Sequence, residues 1–145
     1  SVDGFAMLIN KKKFEENNFF DENFFLFLEN DDLCKRTKIL GNNIYVIKNA
    51  FIDHKGFSSS TKIDKDELEY LRNWHWMWSK FYFNKKHHGF FQAFIFILPS
   101  FFSSILKILL FTLLLNNKKR KIYQFRFSGI LNSIIGKTSW YRIKD

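Results

Sequence analysis

The chain has 145 residues, a formal net charge of +9, a pI near 9.7, 20 phenylalanines and a single cysteine. That length corresponds to one domain, and the lone Cys34 excludes both an intramolecular disulfide and a cysteine-based metal cluster. The basic excess suits an anionic membrane surface or nucleic acid, but Lys, Asn, Phe and Ile also have A/T-rich codons, so compositional bias stays open beside a selected basic surface.

In chain order, residues 5–9 (Phe-Ala-Met-Leu-Ile) read as an interior strand without a lead-in. A chain truncated at its N-terminus is the expectation that follows. Residues 11–17 suit a short surface helix. Residues 31–40 read as a helix with Leu33, Thr37 and Leu40 on one face and Gly41 as its stop. Cys34 falls where such a helix would bury it as a small apolar residue. Residues 44–47 and 50–52 are strand-like by their β-branched and aromatic content.

After a serine-rich loop over 56–62, Asp64 is placed to cap a helix, with Glu67 at capping-box spacing. That helix carries one stripe of Leu68, Leu71, His75, Trp78 and Tyr82 and a second of Tyr70, Trp74, Met77 and Phe81. The apolar face is too wide for an ordinary surface helix. Residues 90–115 are almost wholly apolar, long enough to cross a bilayer of about 20 residues' span. Pro99 and Lys107 interrupt the run, and lysines flank it on both sides. The symmetry of charge favours a broken hairpin or an interfacial helix pair, with Trp74, Trp76 and Trp78 near headgroup depth. A basic, aromatic tail follows. The resulting divisions are 1–62, an amphipathic aromatic helix over 63–88, an apolar membrane-associated segment over 89–117, and a tail over 118–145. No P-loop, nucleophile elbow or zinc spacing is present. Stacking of the tail on single-stranded nucleic acid would leave the acidic and apolar runs unexplained, so nucleic acid is not an expected partner.

The stretch from Phe20 to Arg36 is the most informative. Its pattern, FDE.FF.(Y/F).E(D/N).DLC.R, followed by a Gly, a strand and a His, resembles the acceptor half of family 2 glycosyltransferases, including rhamnosyltransferase-like enzymes of surface polysaccharide synthesis. The resemblance covers residues 2–60, and 68–86 more loosely. It implies an α/β fold, the acceptor half of a GT-A (Rossmann-like) domain, followed by a helical, membrane-associated C-terminal region. It implies inverting transfer of a sugar from a nucleotide-sugar donor to a lipid-linked or polysaccharide acceptor, at the cytoplasmic face of a membrane. The nucleotide-binding half, with its Asp-x-Asp motif, is absent, so the fragment alone is expected to be inactive. The competing class is a non-catalytic membrane-binding module, a degenerate or truncated relative.

Such chemistry needs a general base for the acceptor hydroxyl and positive charge for the departing diphosphate. In the resembled family the base comes from an acidic pair opening a helix. The pair aligns here with Glu29 and Asn30, and an amide is no base, which leaves Glu29, Asp31 and Asp32 as catalytic candidates. The same residues also suit helix capping and the macrodipole. Asp21 and Glu22 are candidate acceptor-loop or helix-start residues, and Lys62 and Arg72 candidate substrate contacts. His75, one turn from Arg72, either shares that cleft or sits in the core. His54 matches a family position that completes coordination of a divalent metal, Mn or Mg, whose other ligands would lie in the absent half.

Overall fold

The computed structural model describes residues 6–10, 12, 19–53 and 64–143. Among these residues it has four helices and no strand: α1 (Glu29–Ile39), α2 (Lys65–His88), α3 (Phe90–Leu113) and α4 (Asn117–Ile134). The expected α/β, Rossmann-like class is therefore corrected to an all-helical one. Residues 7–9, 44–47 and 50–52 are all described, and none of them pairs. A strand exists through its ladder of backbone hydrogen bonds, and apolar content alone cannot supply a partner. Leu8 and Phe51 are 98% and 93% exposed, so these strand-type residues have no sheet to receive them. The helix expected over 11–17 lies almost entirely outside the described residues.

Two compact units divide the chain, one of Ser1–Glu22 with Leu28–Lys62 and one of Asn23–Phe27 with Ile63–Asp145. The first is built on α1. Glu29, Asp31 and Asp32 in its first turn and Arg36 and Lys38 in its last complement the helix dipole. The helix begins two residues before the expected start. Phe27 and Leu28 both adopt φ 67, and Leu28 stands at the N-cap without a side-chain bond. At the other end Gly41, at φ 72, closes the helix: its N–H reaches the carbonyl of Lys38 and that of Asn42 reaches Thr37, both at 3.0 Å. This is the Schellman arrangement, which needs a left-handed residue where glycine sits without strain.

The second unit is a bundle of α2, α3 and α4. Asp64 caps α2 by accepting the N–H of Asp66 at 3.1 Å, rather than the N–H of Glu67 as a capping box would. Gly89, at φ 86, is the whole connection between α2 and α3. The core is formed by Met77 and Phe81 of α2, Ala93 and Ile97 of α3 and Ile130 of α4, with Phe101 and Ile134 against it. Each large member contributes about 1.5–3 kcal/mol of apolar burial. Gly129 lets α4 approach α2 closely, since a methyl there would overlap the Trp74 carbonyl oxygen.

Two non-helical segments hydrogen-bond several of the polar groups buried on α2. Residues 137–143 form a strap: the Trp78 indole N–H donates to the Lys137 carbonyl at 2.9 Å, and His75 Nε2 meets the Tyr141 carbonyl at 2.8 Å. From residues 23–27, the Leu26 carbonyl accepts from Ser79 at 2.7 Å and the Asn23 carbonyl from Ser139 at 2.6 Å. The break expected at Pro99 does not occur, and α3 runs unbroken for 24 residues. Ile97 and Ser104, buried on either side of the proline, anchor both halves of the helix. That packing compensates for the one hydrogen bond proline cannot donate.

Candidate functional site: an acidic helix start and an apolar helix face

Within the first unit, the acids of α1 have different surroundings. Asp32 is fully buried, and its carboxylate accepts from Arg36 Nε at 2.8 Å, one helical turn away. Arg36 is itself fixed by donating from Nη2 to the Phe19 carbonyl at 2.7 Å. A buried carboxylate held this way depends on its partner, because losing either one strands a charge. Glu29 differs. Its Oε1 accepts a long contact from the Asn30 amide at 3.4 Å, whereas its buried Oε2 has no hydrogen-bond partner among the described residues. Asp31 is half-buried on the same turn, Asp21 is half-buried, and Glu22 is exposed.

The remaining sequence candidates are not gathered into one place. His54 and Lys62 lie outside the described residues. Arg72 is exposed on α2, while His75 is fully buried, so these two do not share a cleft. His75 packs against the rings of Phe25 and Trp74, each at 4.8 Å, and its Nδ1 has no partner among the described residues. Burial holds its pKa down to about 4, with Arg142 adding to the depression and the Tyr141 carbonyl opposing it. It is a neutral core residue. No group of three His, Cys, Asp or Glu able to hold a metal ion occurs among the described residues, so they do not supply a donor set for Mn or Mg.

The tryptophans also divide. Trp74 and Trp78 are core residues at 1% and 2% exposure, and of the three on α2 only Trp76 is exposed. Two of the three indoles expected near headgroup depth are thus buried, since the bundle needs them as its packing mass. The outward surface is instead that of α3. It is the one helix among the described residues long and apolar enough to cross a membrane, and only 11% of its most apolar window is buried. Phe91, Ile95, Phe102, Leu106, Leu109 and Leu113 are exposed along a single stripe, at the three- and four-residue steps that place residues on one helix face.

Beside that stripe lies a group that the sequence alone did not single out. Phe111 of α3 stacks on Tyr123 of α4 with centroids 5.7 Å apart. Lys107 Nζ lies 4.8 Å and Arg126 Cζ 5.6 Å from the Tyr123 centroid, and Lys119 Nζ is 5.3 Å from that of Phe111. The signal available was Lys107 itself, a lone charge in an apolar run. What could not be read was which α4 residues it would meet. No family model matches the chain, and neither a curated protein nor a solved structure is significantly similar to it.

Proposed function

We propose that the chain serves a membrane-associated, inverting glycosyltransferase resembling family 2, with Glu29 as the general base. The observation that carries this reading is the difference in surroundings within α1, where Asp32 is paired with Arg36 and Glu29 keeps one oxygen without a partner among the described residues. The reading rests on the residues of the acidic run and not on the α/β architecture, which the helical structure overturns. In the proposed reaction Glu29 takes the acceptor hydroxyl proton as that oxygen bonds to the anomeric carbon. The bond from the anomeric carbon to the donor's diphosphate breaks on the opposite face, and the nucleoside diphosphate leaves with the electron pair. No step is routed through a metal.

The test uses membranes from cells expressing the full open reading frame, supplied with labelled nucleotide sugars. Glu29→Gln lowers transfer by about 10²–10⁴-fold, with donor affinity nearly unchanged, because a base acts in the transition state. Asp32→Asn instead lowers the amount of folded protein. A fully active Glu29→Gln alongside a folded but inactive Asp32→Asn would move the base to Asp32.

The second reading, a non-catalytic membrane-binding module, is favoured by the exposed apolar stripe of α3. In both readings α3 lies in the plane of a leaflet. As a helix of 24 residues, about 36 Å long, it could cross a bilayer. Crossing would strip away partners along its whole length, from Ala93 and Ile97 in the core to Phe101 on Phe127 and Phe111 on Tyr123. Wild-type levels of transfer by Glu29→Gln, Asp31→Asn and Asp32→Asn alike would leave docking as the function.

A further inference from the structure

From Tyr70 to Lys144 the sequence has thirteen Lys and Arg and no Asp or Glu. On α4, Lys118 reaches back to Asp66 at 2.6 Å, but no carboxylate accompanies Lys107, Lys119 or Arg126 on α3 or α4. These three cations nevertheless converge on the stacked Phe111–Tyr123 pair. The Nε atoms of Arg126 and of Arg120 nearby in sequence are buried and have no hydrogen-bond partner among the described residues. Cations gathered without a counter-charge repel one another, and a buried guanidinium N–H without an acceptor carries a desolvation cost. Both penalties are relieved by one ligand chemistry, an anionic phosphate oxygen, which accepts from Arg and Lys together.

The position of the cluster identifies where that phosphate comes from. Lys107 follows Leu106 on α3, at the border of the exposed apolar stripe. A helix lying in the interface buries such a stripe to a depth of roughly 5–10 Å and holds its bordering cations at the level of the lipid phosphates. A second copy of this chain would bring another acid-free, cationic face against the first. We infer that Lys107, Lys119 and Arg126, around the stacked Phe111–Tyr123 pair, form a binding site for the phosphate of an anionic phospholipid, which seats α3 in a leaflet. This inference rests on the docking role of α3 and adds the lipid class and the residues that select it.

The experiment is flotation of the whole chain with phosphatidylcholine vesicles and with the same vesicles containing phosphatidylglycerol. Each cation near an anionic surface strengthens partitioning by about five-fold, so Lys107→Gln/Lys119→Gln/Arg126→Gln should weaken binding to the anionic vesicles by about a hundred-fold. The charge-matched Lys85→Gln/Lys86→Gln/Lys137→Gln should lose far less, and Lys107→Arg in combination with Lys119→Gln/Arg126→Gln should bind about five-fold more tightly than the first triple. Far-ultraviolet circular dichroism establishes that each variant is folded. Equal losses in the two triples would overturn the site, leaving only diffuse charge attraction. Equal wild-type binding to both kinds of vesicle would overturn it too while preserving docking, and binding to neither would overturn docking itself. Saturable binding of inorganic phosphate that blocks flotation at low concentration would assign the site to a soluble anion and overturn the lipid source.

Discussion

At the scale of single residues, His75 shows how burial converts a titratable group into a stability term. Its pKa is about 4 in the folded bundle, against 6.5 ordinarily. Between those values the unfolded chain binds a proton that the folded chain does not, so stability is fully present above pH 6.5 and is lost as pH falls towards 4. Melting followed by circular dichroism across that window should show the midpoint falling with pH. His75→Gln, whose amide can still donate to the Tyr141 carbonyl, should flatten that dependence. An unchanged slope in the variant would assign the acid sensitivity elsewhere. The sequence left His75 open between core and cleft, because a stripe position shows which helix face a residue occupies but not what covers that face. Glu29, Asp31 and Asp32 were legible as an acidic helix start, but not in their surroundings. Only Arg36, one turn on and itself held by the Phe19 carbonyl, sets Asp32 apart.

At the scale of elements, the helices were more legible than the strands because their signals are local. Asp64 at the start of α2 and Gly41 after α1 act through hydrogen bonds to residues close by in sequence. The strand-like segments 44–47 and 50–52 depended on a partner far away in the chain, and no local pattern guarantees one. Pro99 misled in the opposite direction, since tertiary packing carried α3 through a residue that would break an isolated helix. Contact between α2 and α4 rests on an equally small feature. Gly129→Ala places a methyl against the backbone of Trp74, which cannot rotate away as a side chain would. The helices must then separate, at a cost of about 1–3 kcal/mol, the usual range for overpacking. Chemical denaturation should reveal a lower midpoint, whereas Leu131→Ala, on the exposed side of α4, should cost much less. Equal stability of Gly129→Ala and the parent would mean that the two helices are not held at this distance.

At the scale of the whole molecule, composition gave the correct impression of an apolar, basic chain without showing how those properties are arranged. The bundle turns the aromatic mass of α2 inward and the aliphatic and aromatic stripe of α3 outward, so the exposed apolar surface is one of leucines and phenylalanines and not of tryptophans. An in-plane seat also fixes topology. A tag placed after Asp145 should be inaccessible to an impermeant label in intact cells and accessible in inverted vesicles. Labelling from the outer side would require α3 to cross, and recovery of the chain entirely in the soluble fraction would end the membrane reading.

The strap over α2 has a consequence for the order of assembly. Its bonds join residues far apart in the chain: 59 positions separate Trp78 from Lys137, 66 separate His75 from Tyr141, and 116 separate Ser139 from Asn23. The α2–α3 hairpin, closed through Gly89 alone, needs no such distant partner, and local contacts form before remote ones. During synthesis at about 5–20 residues per second, α3 therefore leaves the ribosome seconds before Tyr141 can cover His75. Throughout that interval the exposed apolar helix is already available while the interior of its own bundle is still unlatched. A bilayer close to the ribosome would thus meet this chain as a folding partner before it meets it as a finished protein.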